Sequence, residues 1–181
     1  MPIIFSKHII ILVYKSFIRL KILQQDFLLN YETRDKDIMD LIRATQNWQR
    51  AAAYNVRIEA MVKGFGIRLD QEFDDHDNES TKYVVALDGL NPVGTCRLFW
   101  LDEKTAKIER VCVIEESREK GIGRLVITEA ENWLKELGAE KIQISSRVDA
   151  AGFYEKLGYL IDWNSQQDNG IFSCVDTEKK L

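Results

Sequence analysis

Val111-Cys112-Val113-Ile114-Glu115-Glu116-Ser117-Arg118-Glu119-Lys120-Gly121-Ile122-Gly123-Arg124 passes from an apolar run, through a charged bend, into a loop bearing two glycines. The residues ahead of it, Ala106 to Ile114, read as a strand. Its low polarity after Arg110 predicts burial on both faces, as in a central strand. The residues behind it carry an apolar stripe, Ile122, Leu125, Val126, Ala130, Trp133, Leu134 and Leu137, at helical spacing, and Gly138 ends the run. The loop therefore joins a buried strand to a helix N-terminus. Gly121 and Gly123 let the backbone approach a ligand, and the first N–H groups of the helix point out of its end. Those donors and the helix dipole favour an anion, with Arg118, Lys120 and Arg124 adding positive charge, so the expected ligand is phosphate-like. No Gly-Lys-Ser/Thr follows, which excludes a Walker loop, and Val126 stands where a dinucleotide fingerprint needs a small residue. The competing reading is a tight turn with solvated basic residues.

Working outward, Ile38 to Ala44 reads as a strand. Thr45 or Asn47 then caps a helix with Ala51, Tyr54, Ile58, Met61, Val62 and Phe65 on its apolar side, closed by Gly64 and Gly66. An acidic loop covers 67–80. Thr81–Leu87 and Val93–Leu101 form a hairpin around Asp88–Pro92. Beyond the second helix come a strand at Lys141–Ser145, a short helix at Asp149–Leu157, and strands at Tyr159–Trp163 and Ile171–Val175. The order predicts an α+β (mixed α/β) class, with a central mixed, mostly antiparallel sheet flanked by helices on both faces.

The whole chain fits one such domain. It has 181 residues, 45% hydrophobic and 30% charged with only 2 prolines, a globular mix rather than a disordered one. A net charge of -4 argues against coating nucleic acid. Cys96, Cys112 and Cys174 are odd in number and far apart, as buried hydrophobes in a reducing cytoplasm would be. Asp74, His76 and Asn78 alternate like metal ligands, but the glycine and distal glutamate of a calcium loop are missing; no metal is expected, and a solvated acidic loop is the better reading. Residues 1–36 differ from the rest, being rich in Ile, Leu, Phe and Lys. They read as a packed arm, a basic amphipathic segment on a membrane surface, or sequence upstream of a start at Met39. Their longest apolar run, Ile9–Tyr14, is too short to span a bilayer. The domain proper is expected over 37–181.

The order Val111-Cys112-Val113, then Arg118-x-x-Gly121-x-Gly123, then Gly152-Phe153-Tyr154-Glu155-Lys156-Leu157-Gly158-Tyr159 resembles the GNAT superfamily of acyl-CoA-dependent N-acetyltransferases. Glu72-Phe73-Asp74-x-x-Asp77 and Pro92-Val93-Gly94-Thr95-Cys96-Arg97-Leu98 look like its bacterial members. The resemblance covers roughly 39–181. It implies a strand that splays from its neighbour, with the backbone of Val111, Cys112 and Val113 bonding the pantetheine arm. It implies that Arg118, Glu119, Lys120, Gly121, Ile122, Gly123 and Arg124 hold the pyrophosphate of acetyl-CoA. Tyr154 occupies the position from which a phenol protonates the departing thiolate; in some relatives it only packs against the thioester.

A base must take the proton of the attacking amine. Glu109, two residues before Val111 and so expected on its face, is the candidate, with a salt bridge to Arg110 or Lys107 as the bland alternative. Glu72, Asp74 and Asp75 are the other carboxylates, and the acidic loop is also read as attracting a cationic acceptor. Three departures stand out. Glu119 puts an acid near the diphosphate. Arg147 replaces the Asn or Gln common seven residues before the tyrosine, putting one polar cofactor contact in doubt. Ile171-Phe172-Ser173 lacks the Pro-His of some relatives. The resulting expectation is a cytoplasmic enzyme, with a homodimer allowed, that acetylates a small-molecule primary amine in a ternary complex. The competing expectation is a non-catalytic acyl-CoA-binding or sensing module.

Overall fold

A computed structural model describes residues 39–168 and 170–181; the reading of 1–36 as an arm lies outside the described residues. In chain order the elements are β1 (Met39–Arg43), α1 (Asn47–Arg57, continued by a π-helical segment, Ile58–Lys63), α2 (Leu69–Glu72), β2 (Lys82–Asp88), β3 (Asn91–Trp100), β4 (Thr105–Val113), α3 (Ile122–Glu136), β5 (Lys141–Arg147), α4 (Ala151–Glu155), β6 (Leu160–Asp168) and β7 (Ser173–Lys180). The strands make one seven-stranded sheet in the order β1-β2-β3-β4-β5-β7-β6. Every neighbouring pair is antiparallel except β4 with β5. The mixed, mostly antiparallel sheet expected from the sequence is therefore present.

Alternation along the strands sorts side chains to two faces. On one, Ala86, Leu98, Ile108, Ile142 and Ile144 pack under Val126, Ile127, Ala130 and Leu134 of α3, with Tyr154 and Tyr159 in the same core. On the other, Tyr83, Val85 and Leu87 meet Ala53 of α1, and Cys112 meets Val56 and Ala60. Gly94 fixes how closely α3 approaches. A Cβ there would lie 2.7 Å from Cγ2 of Ile122, the first residue of α3.

Two local readings are corrected. The residue preceding α1 is Gln46, and the Gln49 side-chain oxygen accepts the N–H groups of Thr45 and Gln46, so neither Thr45 nor Asn47 caps the helix. The buried side of α1 is Ala53, Val56, Arg57 and Ala60, while Ala51 and Phe65 are exposed. An apolar count misses this because a buried arginine holds the centre of that face, and the π-helical segment then shifts the phase of the stripe.

Gly94→Ala should destabilise the protein by about 1–3 kcal/mol through overpacking against Ile122. Denaturant midpoints check this, with an unchanged midpoint as the contrary result.

Candidate active site

β4 carries one extra residue. Thr95 pairs with Cys112 and Arg97 with Glu109, so Cys96 alone faces both Arg110 and Val111. Arg110 takes the left-handed conformation, φ 50°, that such a bulge requires. Alternation breaks there. Glu109 shares the α1 face with Cys112, whereas Val111 and Val113 pack with the core under α3. The expectation that Glu109 and Val111 share a face is therefore wrong.

Just before the bulge, β4 leaves its parallel neighbour. Pairing with β5 runs only from Thr105 to Lys107, against Lys141 to Gln143. Beyond Lys107 the β5-facing edge of β4 has no strand partner among the described residues. Val111 and Val113 are half-buried, not sealed on both faces as their apolarity predicts, because the neighbouring strand has moved away. A cleft of about 710 Å³ fills the gap. Glu109, Val111, Cys112, Val113, Arg118 and Tyr154 line it, joined by Ala60, Met61 and Phe65 from the α1 side and by Ser145, Ser146 and Arg147 from β5.

The rest of the glycine loop stands outside that lining. Residues 118–122 alternate in hand, with Glu119 at φ 63° and Gly121 at φ 80°, a geometry that gathers successive N–H groups into an anion-binding concavity. The N–H groups of 119–124 have no backbone acceptor among the described residues. The side chains of Glu119, Lys120 and Arg124 are exposed, and that of Ile122 is buried as core, so Ile122 offers only its backbone. Arg118 turns inward: its Nε donates to the Val113 carbonyl at 3.3 Å and its guanidinium lies 5.8 Å from the centre of the Phe65 ring.

Tyr154 is buried, and burial pushes its phenol above the ordinary tyrosine value, keeping it protonated. Burial, with the nearby Glu72 charge, pushes the Cys112 thiol up to about 12, which makes it a poor nucleophile.

The acidic loop is solvated at Asp70, Asp75 and Glu79, but Glu72, Asp74 and Asp77 turn to arginines. Arg57, fully buried, donates to Glu72 and to both oxygens of Asp77. Arg97, also buried, donates to Asp74, Asp77 and Glu109. Arg110 adds a bond to Asp74, and the Tyr83 hydroxyl donates to Asp77. Glu72 and Asp74 are thus neutralised in place rather than left to attract a cation. Glu109 bonds Arg97 at 2.6 Å and pairs with Lys107 at 3.1 Å. Burial alone would raise its carboxyl, but these two cations outweigh it and hold it below the usual carboxylate range. Asp74 is lowered the same way to about 2, against its burial, chiefly by Arg97. Arg57 drew no notice in the sequence, and Asp77 and Arg97 entered only as members of the motifs quoted for the resemblance; an arginine centred on the buried helix face was the available signal. Among the described residues, no helix is long and apolar enough to cross a membrane, and no group of His, Cys, Asp and Glu could hold a metal ion.

Comparison with known proteins meets this geometry. Residues 42–159 match the model of the acetyltransferase (GNAT) family. The uncharacterized N-acetyltransferase YjcF of Bacillus subtilis is 32% identical over 124 residues, 68% of this chain and 86% of that protein. The uncharacterized protein YyaT of Bacillus subtilis is 30% identical over 143 residues, 78% of this chain and 96% of that one. A crystal structure of a Lactobacillus plantarum protein assigned as an N-acetyltransferase superposes with a TM-score of 0.75 at 31% identity, covering 80% of this chain and 99% of the other. Escherichia coli ElaA shares the fold, with a TM-score of 0.69 at 14% identity over 78% of this chain and 99% of its own.

The lowered carboxyls have a consequence for stability. Their folded values lie below the unfolded ones, about 4, so their contribution is complete above that pH and is lost as pH falls toward the folded values. The melting temperature should stay flat from about pH 7 to 5 and drop steeply below about 4. Arg97→Leu should cost about 3–5 kcal/mol at neutral pH, because it removes a buried cation shared by Asp74, Asp77 and Glu109, and less at low pH, where they are protonated. Thermal melts of both proteins across the pH range test this; parallel curves would contradict it.

Proposed function

The chain belongs to the GNAT family of acetyltransferases, and from that premise we propose that it moves an acetyl group from acetyl-CoA to a primary amine by direct attack in a ternary complex. The observation that carries the reading is the cleft through the β4–β5 gap. One wall is a strand edge with no strand partner among the described residues, Tyr154 is in the lining, and just outside it, where α3 begins, lies a loop whose N–H groups have no backbone acceptor among the described residues. The edge at Val111, Cys112 and Val113 bonds the pantetheine arm as an added strand would. The loop 119–124, with Arg118, takes the diphosphate.

The amine nitrogen attacks the thioester carbonyl carbon, forming the C–N bond, and the C–S bond breaks. A backbone N–H of β4 polarises the carbonyl oxygen. Tyr154, protonated and buried, gives its proton to the leaving thiolate and regains one from solvent. Glu109 takes the amine proton through water. A carboxyl held low is a weak base, which limits its contribution. Cys112, protonated and inert, argues against an acyl-enzyme. The double engagement of Glu109 with Arg97 and Lys107 is the feature that favours the second reading, acyl-CoA binding without turnover.

Two variants test the assignments. Gly121→Asp sets a carboxylate in the loop where a Cβ meets nothing within 4 Å, and aspartate tolerates left-handed backbone better than most residues. Acetyl-CoA affinity, measured by calorimetry, should fall by about tenfold or more while the fold persists. Tyr154→Phe should lower kcat for CoA release by about 100-fold with little change in the KM for acetyl-CoA. Tight acetyl-CoA binding by wild type with no CoA release across a panel of amines would decide for the binding module.

A further inference from the structure

The two places where the sequence departs from the family's C-terminal pattern touch each other. The Arg147 guanidinium carbon lies 4.5 Å from the centre of the Phe172 ring and 4.8 Å from that of Phe65. The two rings meet edge to face at 5.2 Å. Arg147 thus sits in the corner between perpendicular rings. Its Nε donates to one carboxylate oxygen of Asp149 at 2.9 Å and its Nη2 to the other, so one edge is held. Its Nη1 has no partner among the described residues. A guanidinium fixed in this way loses little conformational freedom when its remaining N–H groups bind another anion.

Its place in the sheet decides which reactant it meets. Ile142 and Ile144 of β5 belong to the core under α3. By alternation Ser145 and Arg147 project to the opposite, α1 face, where Phe65 stands. Tyr154 belongs to the α3 core and the glycine loop leads into α3, so Arg147 lies on the other face of the sheet from the loop 119–124, with Arg118 reaching the Phe65 ring from the loop's side. It faces the side of the gap left open to the acceptor. The charge there is unbalanced. Each carboxylate on the cleft wall already has a cation: Glu72 has Arg57, Glu109 has Arg97 and Lys107, and Asp149 has Arg147. Arg118, which shares the Phe65 ring, pairs with no carboxylate among the described residues. What the cleft has left to offer a ligand is the Arg118 charge and the guanidinium edge of Arg147 that Asp149 does not hold.

We propose that Arg147 recognises a carboxylate on the acceptor, making the acceptor an amine that also carries a carboxylate, as amino acids do. The inference rests on the acetyl-transfer reading and names its acceptor class. Planar, bidentate recognition suits a carboxylate, and an amine lacking one leaves that guanidinium edge unmatched.

The test uses matched pairs of amines, phenylalanine with phenethylamine and aminohexanoate with hexylamine. Each is titrated into CoA-saturated wild-type protein and into Arg147→Gln, and CoA release from acetyl-CoA is measured with the same pairs. Wild type should bind the carboxylate-bearing member of at least one pair about tenfold or more tightly than its partner. Arg147→Gln should bring that ratio close to one while its affinity for acetyl-CoA is kept. Absence of a carboxylate preference in wild type would overturn the proposal, as would a preference that survives Arg147→Gln. A fall in acetyl-CoA affinity without a change in the ratio would also overturn it, assigning Arg147 to the donor's phosphates. A preference in binding without CoA release would sink the transfer reading and leave the carboxylate site standing.

Discussion

Everything in the cleft depends on β4 parting from β5 while remaining paired to β3. The parallel ladder stops at Lys107, and three residues later the strand takes an extra residue at Arg110. A left-handed arginine costs of order 1 kcal/mol or more, so this conformation needs support. The side chain supplies some: Arg110 bonds Asp74 at 3.0 Å and lies 3.7 Å from a Glu72 oxygen. The bulge leaves one strand with two loyalties. One edge of β4 stays in the sheet, and the other has no strand partner beyond Lys107 among the described residues.

The ion network on the α1 face is the second half of that arrangement. A loop with as many acids as 67–80 would ordinarily be a solvated surface. Here Arg57 from α1 and Arg97 from β3 reach the same carboxylate, Asp77, so helix, loop and sheet are tied at one point. Buried ion pairs add little net stability, but breaking one is costly. Such a network therefore sets geometry more than it adds free energy. It holds Glu109 at a fixed place on the cleft wall, and it consumes the charge that would otherwise have made the site attractive to cations.

This explains what could be read from residues alone. The loop at 118–124 and the α3 stripe were legible because they are local: glycine tolerance and helical period lie within a dozen residues. The bulge was not. It is defined by pairing with β3, and its left-handed residue is an arginine rather than the glycine that would have marked it. Counting by twos across it put Glu109 on the wrong face. Arg57 was missed because an apolar count gives a buried cation no weight, although Glu72 and Asp77 make burial feasible. Arg147 and Phe172 were each visible as departures, yet their contact belongs to the packing of β5 against the start of β7. A single sequence does not reveal such a pairing.

The proposed diphosphate loop and the strand edge are near neighbours in the chain, and packing makes them one rigid piece. Gly94 pairs with Val113, the last residue of the open edge. The space where a Cβ of Gly94 would be is filled by Ile122, the first residue of α3. Gly123 stands over Phe153 and Val113, and a Cβ there would be 3.4 Å from the phenyl ring and 3.9 Å from the valine. The first turn of α3 is thereby seated directly above the end of the β4 edge. In the proposed function Gly121 answers to a ligand, through backbone that must stay accessible, whereas Gly94 and Gly123 answer to packing, through side chains that must be absent. A donor extended along β4 would meet its phosphate contacts at a distance set by these close approaches, not by the loop's own flexibility. Interiors packed this tightly transmit displacement rather than absorb it, so the span between the proposed thioester and diphosphate positions is set by the fold itself.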